Sequence, residues 1–152
     1  MFTFCRDRKQ HEVASALSRI INQSTHELEY ATGDGRSKRR YHRTLPVLIG
    51  TWVGGEVQLD ELTVAITNNV SEHGVAVSVP KPWIHADVLC GFWCETALFL
   101  RGCVKHRLQL GAHFWQIGIE FKSCVRSAEL PNLVEVSAVA RAIEPRAIVP
   151  AK

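Results

Sequence analysis

No apolar run in this chain approaches the roughly eighteen residues that a bilayer-spanning helix requires, so no membrane span is expected. The opening, MFTFCRDRKQHE, reaches charge within six residues and holds no apolar stretch of signal-peptide length. Paired C-x-x-C motifs are missing, and the five cysteines are odd in number and irregularly spaced. That pattern speaks against a disulfide framework. It favours a reducing, cytoplasmic setting in which most cysteines pack as small apolar residues. Strong charge of either sign is also lacking, since 18 Lys plus Arg against 15 Asp plus Glu leave only +3. A chain of that balance does not coat a nucleic-acid polymer, and any anion site must be local. There is no repeat of fixed period and no low-complexity tract. No Gly-rich phosphate loop precedes a helix and no carboxylate pair stands out, so the chain is expected to be no enzyme and to carry no cofactor.

What remains is a chain of 152 residues, long enough for one compact domain with its own core. Three rhythms divide it. In HEVASALSRIINQSTHELEYA the apolar residues Val13, Leu17, Ile20, Ile21 and Leu28 recur at steps of three, four and seven, the stripe of an amphipathic helix ending by Gly33. TGDGRSKRR then reads as an exposed linker or arm. From Leu45 to Lys122, runs rich in Val, Ile, Thr, Phe and Trp are broken by Gly, Asn and Pro at the spacing of a small all-β domain. The candidate strands are LPVLIGTWVG, VQLDELTVAIT, GVAVSV, FWCETALFLRGCVKHRLQ and HFWQIGIEFK. Pro46 falls near a strand start, where a missing donor is tolerated, and Gly102 marks a bulge or bend that curls a sheet toward closure. Last, PNLVEVSAVARAI carries Leu133, Val136, Val139, Ala140 and Ile143 at helical spacing, with Pro131 placed for a first turn.

Two constellations carry chemistry. SKRRYHR, residues 37–43, crowds cationic and titratable side chains just before an apolar strand. R-x-x-x-R occurs twice over residues 36–43, as Arg36 with Arg40 and as Arg39 with Arg43, and solvated basic runs of this kind arise without any ligand. The second is Asn69-x-Ser71-x-x-Gly74 in ITNNVSEHGVAV. Turn chemistry alone accounts for such residues, because Asn and Ser bond local backbone and Gly relaxes its conformation. Asn69-Val70-Ser71 and Asn22-Gln23-Ser24 also match glycosylation acceptors, which require secretion.

Order and spacing set these signals apart. Arg39-x-x-x-Arg43, the strand opening TLPVLI, Asn69-x-Ser71-x-x-Gly74 opening VAVSV, and then RGCV and WQIGIEF together resemble the PilZ domain family over about residues 36–125. The resemblance implies a six-stranded antiparallel PilZ-type β-barrel, here an all-β core with flanking N- and C-terminal α-helices. Residues 1–35 would form the N-terminal helix and linker, 36–125 the barrel with its basic arm 36–43, and 126–152 a C-terminal helix and tail. It further implies a bacterial receptor for the second messenger cyclic di-GMP, signalling to a downstream protein partner. Its site would comprise Arg39, Arg43, Asn69, Ser71 and Gly74, with Arg40 auxiliary. His73 fills a variable motif position. The chemistry suits the ligand: guanidinium forks grip phosphate oxygens or the O6/N7 edge of guanine and stack on purines, while lysine cannot do all three. Asn69 and Ser71 offer short donors and acceptors, and Gly74 leaves room for close backbone approach.

Other functions have raw material too. Cys90, Cys94, Cys103, His106, His113 and Cys124 are the stock for a metal site or a Cys/His nucleophile, but they lie in strand-like runs where neighbours alternate faces. A small barrel binding single-stranded nucleic acid would stack bases on Trp52, Trp83, Trp93 or Trp115. A module of the same fold that only binds proteins is a third possibility.

Overall fold

The computed structural model describes residues 2–23, 29–30, 40–41, 44–94 and 96–126, with side chains described over 8–21, 44–93 and 97–126. Its core is a closed antiparallel barrel of six strands: β1 Pro46–Val53, β2 Thr63–Val70, β3 Gly74–Val79, β4 Asp87–Cys94, β5 Thr96–Gln109 and β6 Trp115–Val125. The hydrogen-bonded order is β1-β2-β3-β6-β5-β4, and β4 returns to β1 to close the ring. Closure leaves these strands no open edge. Period-two alternation fills the interior: Val75, Val77 and Val79 of β3 face Ile117, Ile119 and Phe121 of β6, Val88, Cys90 and Phe92 of β4, and Leu100 of β5. Phe92 meets Phe121 edge to face, their centroids 6.3 Å apart.

Helix α1, Phe2–Gln23, belongs to this same core. Val13, Ala16, Leu17, Ile20 and Ile21 are buried among the barrel residues, and the helix lies against β6 and β4. The apolar stripe thus covers the barrel. Each large aliphatic it buries contributes about 1.5–3 kcal/mol. Arg126, just past β6, adds a 2.9 Å contact to Glu12 of the helix.

The helix stops at Gln23, ten residues short of Gly33, and Glu29–Tyr30 is strand. A seven-residue step from Ile21 to Leu28 keeps the apolar period, yet it crosses Asn22 and Ser24, residue types that favour caps and turns over helix interiors. Tyr30 and Glu29 pair with Arg40 and Tyr41, and Tyr41 pairs in turn with Val70 at the end of β2. Arg40–Tyr41 is therefore tied to the barrel at this rung. FWCETALFLRGCVKHRLQ is two strands rather than one, β4 and β5, joined across Glu95. VQLDELTVAIT divides into the end of the two-residue strand Glu56–Val57, a 3-10 turn Leu59–Glu61, and the first residues of β2. Gly54 and Gly55, with φ of 59° and 82°, make the tight turn that folds Glu56–Val57 back on Trp52 and Val53. That ribbon covers a small outer cluster of Leu48, Val57, Leu89 and Phe99. At Gly102 the β5–β6 register shifts as a bulge. The helix expected over 133–143 lies outside the described residues.

Candidate functional site

Val75 and Val77 point inward with their partners Ile119 and Ile117, so the residues between them face out. Ala76 pairs with Asn69 on one side and Gly118 on the other, and Gly118 pairs with His106. Cross-strand partners share a face. Asn69, Ala76, Gly118 and His106 therefore form one row across the outer wall of four strands, with the two small residues as its floor. A methyl group at Gly118 would fall 2.0–2.6 Å from the His106 ring, which lies across that glycine. This row, the Ser71–Gly74 turn, Lys105 and Glu120 line a cleft of about 250 Å³.

Asn69 reaches the outer wall through a bulge. Thr67 pairs with Val77 and Asn69 with Ala76, which leaves Asn68 as an extra residue. Thr67 and Val70 both point inward, so strict alternation could place only one residue outward between them. The bulge places two. Asn68 exchanges hydrogen bonds with Ser78, its Nδ2 donating to Oγ at 2.9 Å. The Asn69 amide has no hydrogen-bond partner among the described residues.

Ser71 and Gly74 shape the turn from β2 into β3. The Ser71 N–H donates to the Gly74 carbonyl at 2.9 Å, while its hydroxyl oxygen accepts the N–H groups of His73 and Gly74, each at 3.3 Å. Gly74 is demanded by close approach, because a Cβ there would sit 2.0 Å from the Ile119 carbonyl oxygen. The Phe121 N–H donates to the His73 carbonyl at 2.8 Å and locks the turn to β6. Around the cleft the charge is mixed, with Lys105 and Glu120 both in its lining. Lys122 Nζ donates to Glu120 Oε1 at 2.6 Å. This bond holds the Glu120 carboxyl below its ordinary value against the opposing effect of desolvation, with the charges of Lys122, Lys105 and His73 assisting.

Three of the sequence-predicted site residues, Asn69, Ser71 and Gly74, thus share one cleft. Arg39 and Arg43 lie outside the described residues, and of Arg40 only its place in the strand pair is described. Lys105, Gly118 and Glu120, which no sequence motif marks, join the cleft together with His106, in the sequence a candidate metal ligand or catalytic group. They come together through register alone. The Cys/His stock is dispersed: Cys90 is inside the barrel, where burial pushes its thiol far up, and Cys103 is outside, its thiol 3.5 Å from Asp87 Oδ1. Among the described residues no three His, Cys, Asp or Glu side chains gather to hold a metal. Trp83 is buried and Trp115 packs against the core, so neither offers an open stacking face. No described helix is long and apolar enough to cross a membrane.

No protein-family model matches the chain, and no curated protein matches its sequence. Among solved structures, the Bacillus subtilis inhibitor of motility (MotI/DgrA) is similar at 14% identity and a TM-score of 0.46, with 73% of this chain and 53% of that chain covered. The chain spans about half the length of that structure.

Proposed function

We propose that this chain is a cyclic di-GMP receptor that performs no chemistry and passes the signal to a protein partner. The observation that carries this reading is the gathering of Asn69, Ser71 and Gly74 around one cleft on the outer barrel wall, with the Arg40–Tyr41 strand paired beside it at Val70. Arg39 and Arg43 each stand two positions from Tyr41, and at about 3.8 Å per residue their backbone stays within about 8 Å of that rung. We assign the guanidinium groups on this short tether to the ligand's phosphates and guanine edges. The described part of the cleft, about 250 Å³, is smaller than the roughly 300–1,000 Å³ of a drug-sized ligand pocket. It suits one base of the dinucleotide, and we assign the rest of the ligand to the arm. The Asn69 amide supplies a donor and an acceptor to a guanine edge, and Ser71 holds the turn that frames it. Helix α1 rests on β6, the strand that carries Gly118 and Glu120. A ligand pressing on that strand is thereby coupled to the helix, which offers a route for output.

Titration calorimetry of the full chain against cyclic di-GMP, GTP and a short oligonucleotide tests the proposal. Saturable binding selective for the cyclic dinucleotide is expected, lost by roughly tenfold or more on replacing Arg39, Arg43 or Asn69 by Ala. Equal binding of all three compounds with a steep salt dependence would instead mark a nucleic-acid binder. No binding, or binding indifferent to these substitutions, refutes the reading.

A further inference from the structure

On another part of the barrel, the end of β1, the Leu59–Glu61 turn and the 81–85 loop enclose a smaller cavity of about 140 Å³. Three buried side-chain polar atoms lack a hydrogen-bond partner among the described residues: Thr51 Oγ1, Glu61 Oε2 and Trp83 Nε1. All three belong to residues that line this one cavity. Thr51 and Trp83 are only 1% and 3% exposed. Buried polar groups without partners are costly and rare, so three at one cavity mark a place where a partner belongs. The cavity is also built in advance. Arg107 donates from Nε to the Trp83 carbonyl at 2.5 Å and from Nη2 to the His85 carbonyl at 3.2 Å, which fixes the loop. Pro80 and Pro82 stiffen the same segment.

The three atoms define what fits. Trp83 Nε1–H only donates, the Glu61 carboxylate only accepts, and the Thr51 hydroxyl does either. Lys81 also lines the cavity, but an anion only accepts and so leaves Glu61 Oε2 without a donor. An ammonium or guanidinium leaves the indole N–H without an acceptor. Water alone would take roughly five molecules at about 30 Å³ each, whereas one polar group that meets all three atoms replaces them, with His85 Nε2 3.6 Å from Glu61 Oε2 beside it. A neutral group that carries an acceptor and two N–H donors on one carbon matches the three in kind. We infer that the cavity is a binding site for a carboxamide, whose oxygen accepts from Trp83 Nε1–H while its NH₂ donates to Glu61 Oε2 and Thr51 Oγ1. The carboxamide comes either from a small free amide or from a Gln or Asn side chain of a docking protein. This site is independent of the cyclic di-GMP reading.

The test uses the ¹⁵N-labelled full chain, with the Trp83 indole resonance assigned by triple-resonance NMR. Propionamide, propionate, propylammonium and the peptide Gly-Gly-Gln-Gly-Gly are titrated separately. Propionamide is expected to shift the Trp83 indole signal saturably, in the millimolar range natural to so small a ligand, while the ion controls leave it in place. Glu61→Ala should weaken this at least tenfold and Thr51→Val about threefold, with the cyclic di-GMP isotherm unchanged. A peptide affinity above that of propionamide assigns the amide to a partner chain, and equal affinities assign it to a free solute. An unresponsive indole showing only water cross-relaxation, or an equal response to propionate, overturns the inference.

Discussion

Replacing Gly74 by Ala separates the structural task of this motif residue from any contact with ligand. The added carbon would lie 2.0 Å from the Ile119 carbonyl oxygen, about 1 Å inside the 3.0 Å that real Cβ contacts respect. The obstacle is backbone on a central barrel strand, so it cannot swing aside. Instead β3 must move off β6 at the Gly74–Glu120 rung. Overpacking of this kind costs about 1–3 kcal/mol. The displacement also loosens the 2.8 Å bond from Phe121 N–H to the His73 carbonyl, worth about 1 kcal/mol. Together these give roughly 2–4 kcal/mol, a large share of the about 5–15 kcal/mol that holds a domain. With a urea slope near 2 kcal/mol/M, the unfolding midpoint should fall by about 1–2 M. The assay is equilibrium urea denaturation of G74A without ligand, followed by far-UV circular dichroism. A midpoint within about 0.3 M of the parent, at unchanged slope, would refute the close-approach reasoning.

Gly118→Ala should behave oppositely: its methyl meets only the exposed His106 ring, which rotates away, so urea stability should change by less than about 1 kcal/mol while the raised floor weakens cyclic di-GMP binding. Calorimetry and denaturation of the same variant check both halves, and a stability loss matching that of G74A would contradict the assignment of His106 as the yielding partner. Leu17→Ala should cost about 2–5 kcal/mol, because Leu17 is fully buried between helix and barrel, and a loss under about 1 kcal/mol by denaturation would mean that the helix is not part of the core. Lys122→Ala should raise the Glu120 pKa toward its ordinary value by removing the bond that depresses it, as read by carboxyl ¹³C NMR titration. A depressed folded-state pKa contributes stability above the unfolded value that is lost as pH falls through the folded one, so the stability gap between parent and K122A should close in acid; an unmoved Glu120 midpoint would show that Lys122 is not the cause.

The parts of this protein readable from its sequence are those written locally. The α1 stripe of Val13, Leu17, Ile20 and Ile21, the outward turn Ser71–Gly74, Pro46 opening β1 and the bulge at Gly102 each depend on a few neighbouring residues, and each is in place. The β4–β5 hairpin escaped because a single Glu, with no Gly, Pro or Asn beside it, separates Cys94 from Thr96. The far wall of the cleft was hidden for another reason. Lys105, His106, Gly118 and Glu120 come from β5 and β6, and only the register of β5 on β6, of β6 on β3 and of β3 on β2 brings them to Asn69. No spacing along the chain encodes such a meeting. The turn hydrogen bonds of Ser71 likewise show that turn chemistry and site geometry are the same feature here.

The irregular rung at Asn68 and Asn69 allows a division of labour between two identical side chains. In an unbroken ladder a lone asparagine between Thr67 and Val70 would have to choose between steadying Ser78 and meeting a visitor. Doubling that position lets one amide stay committed to the scaffold while its twin stays available for recognition, so the wall keeps its rigidity whether or not anything is docked on it.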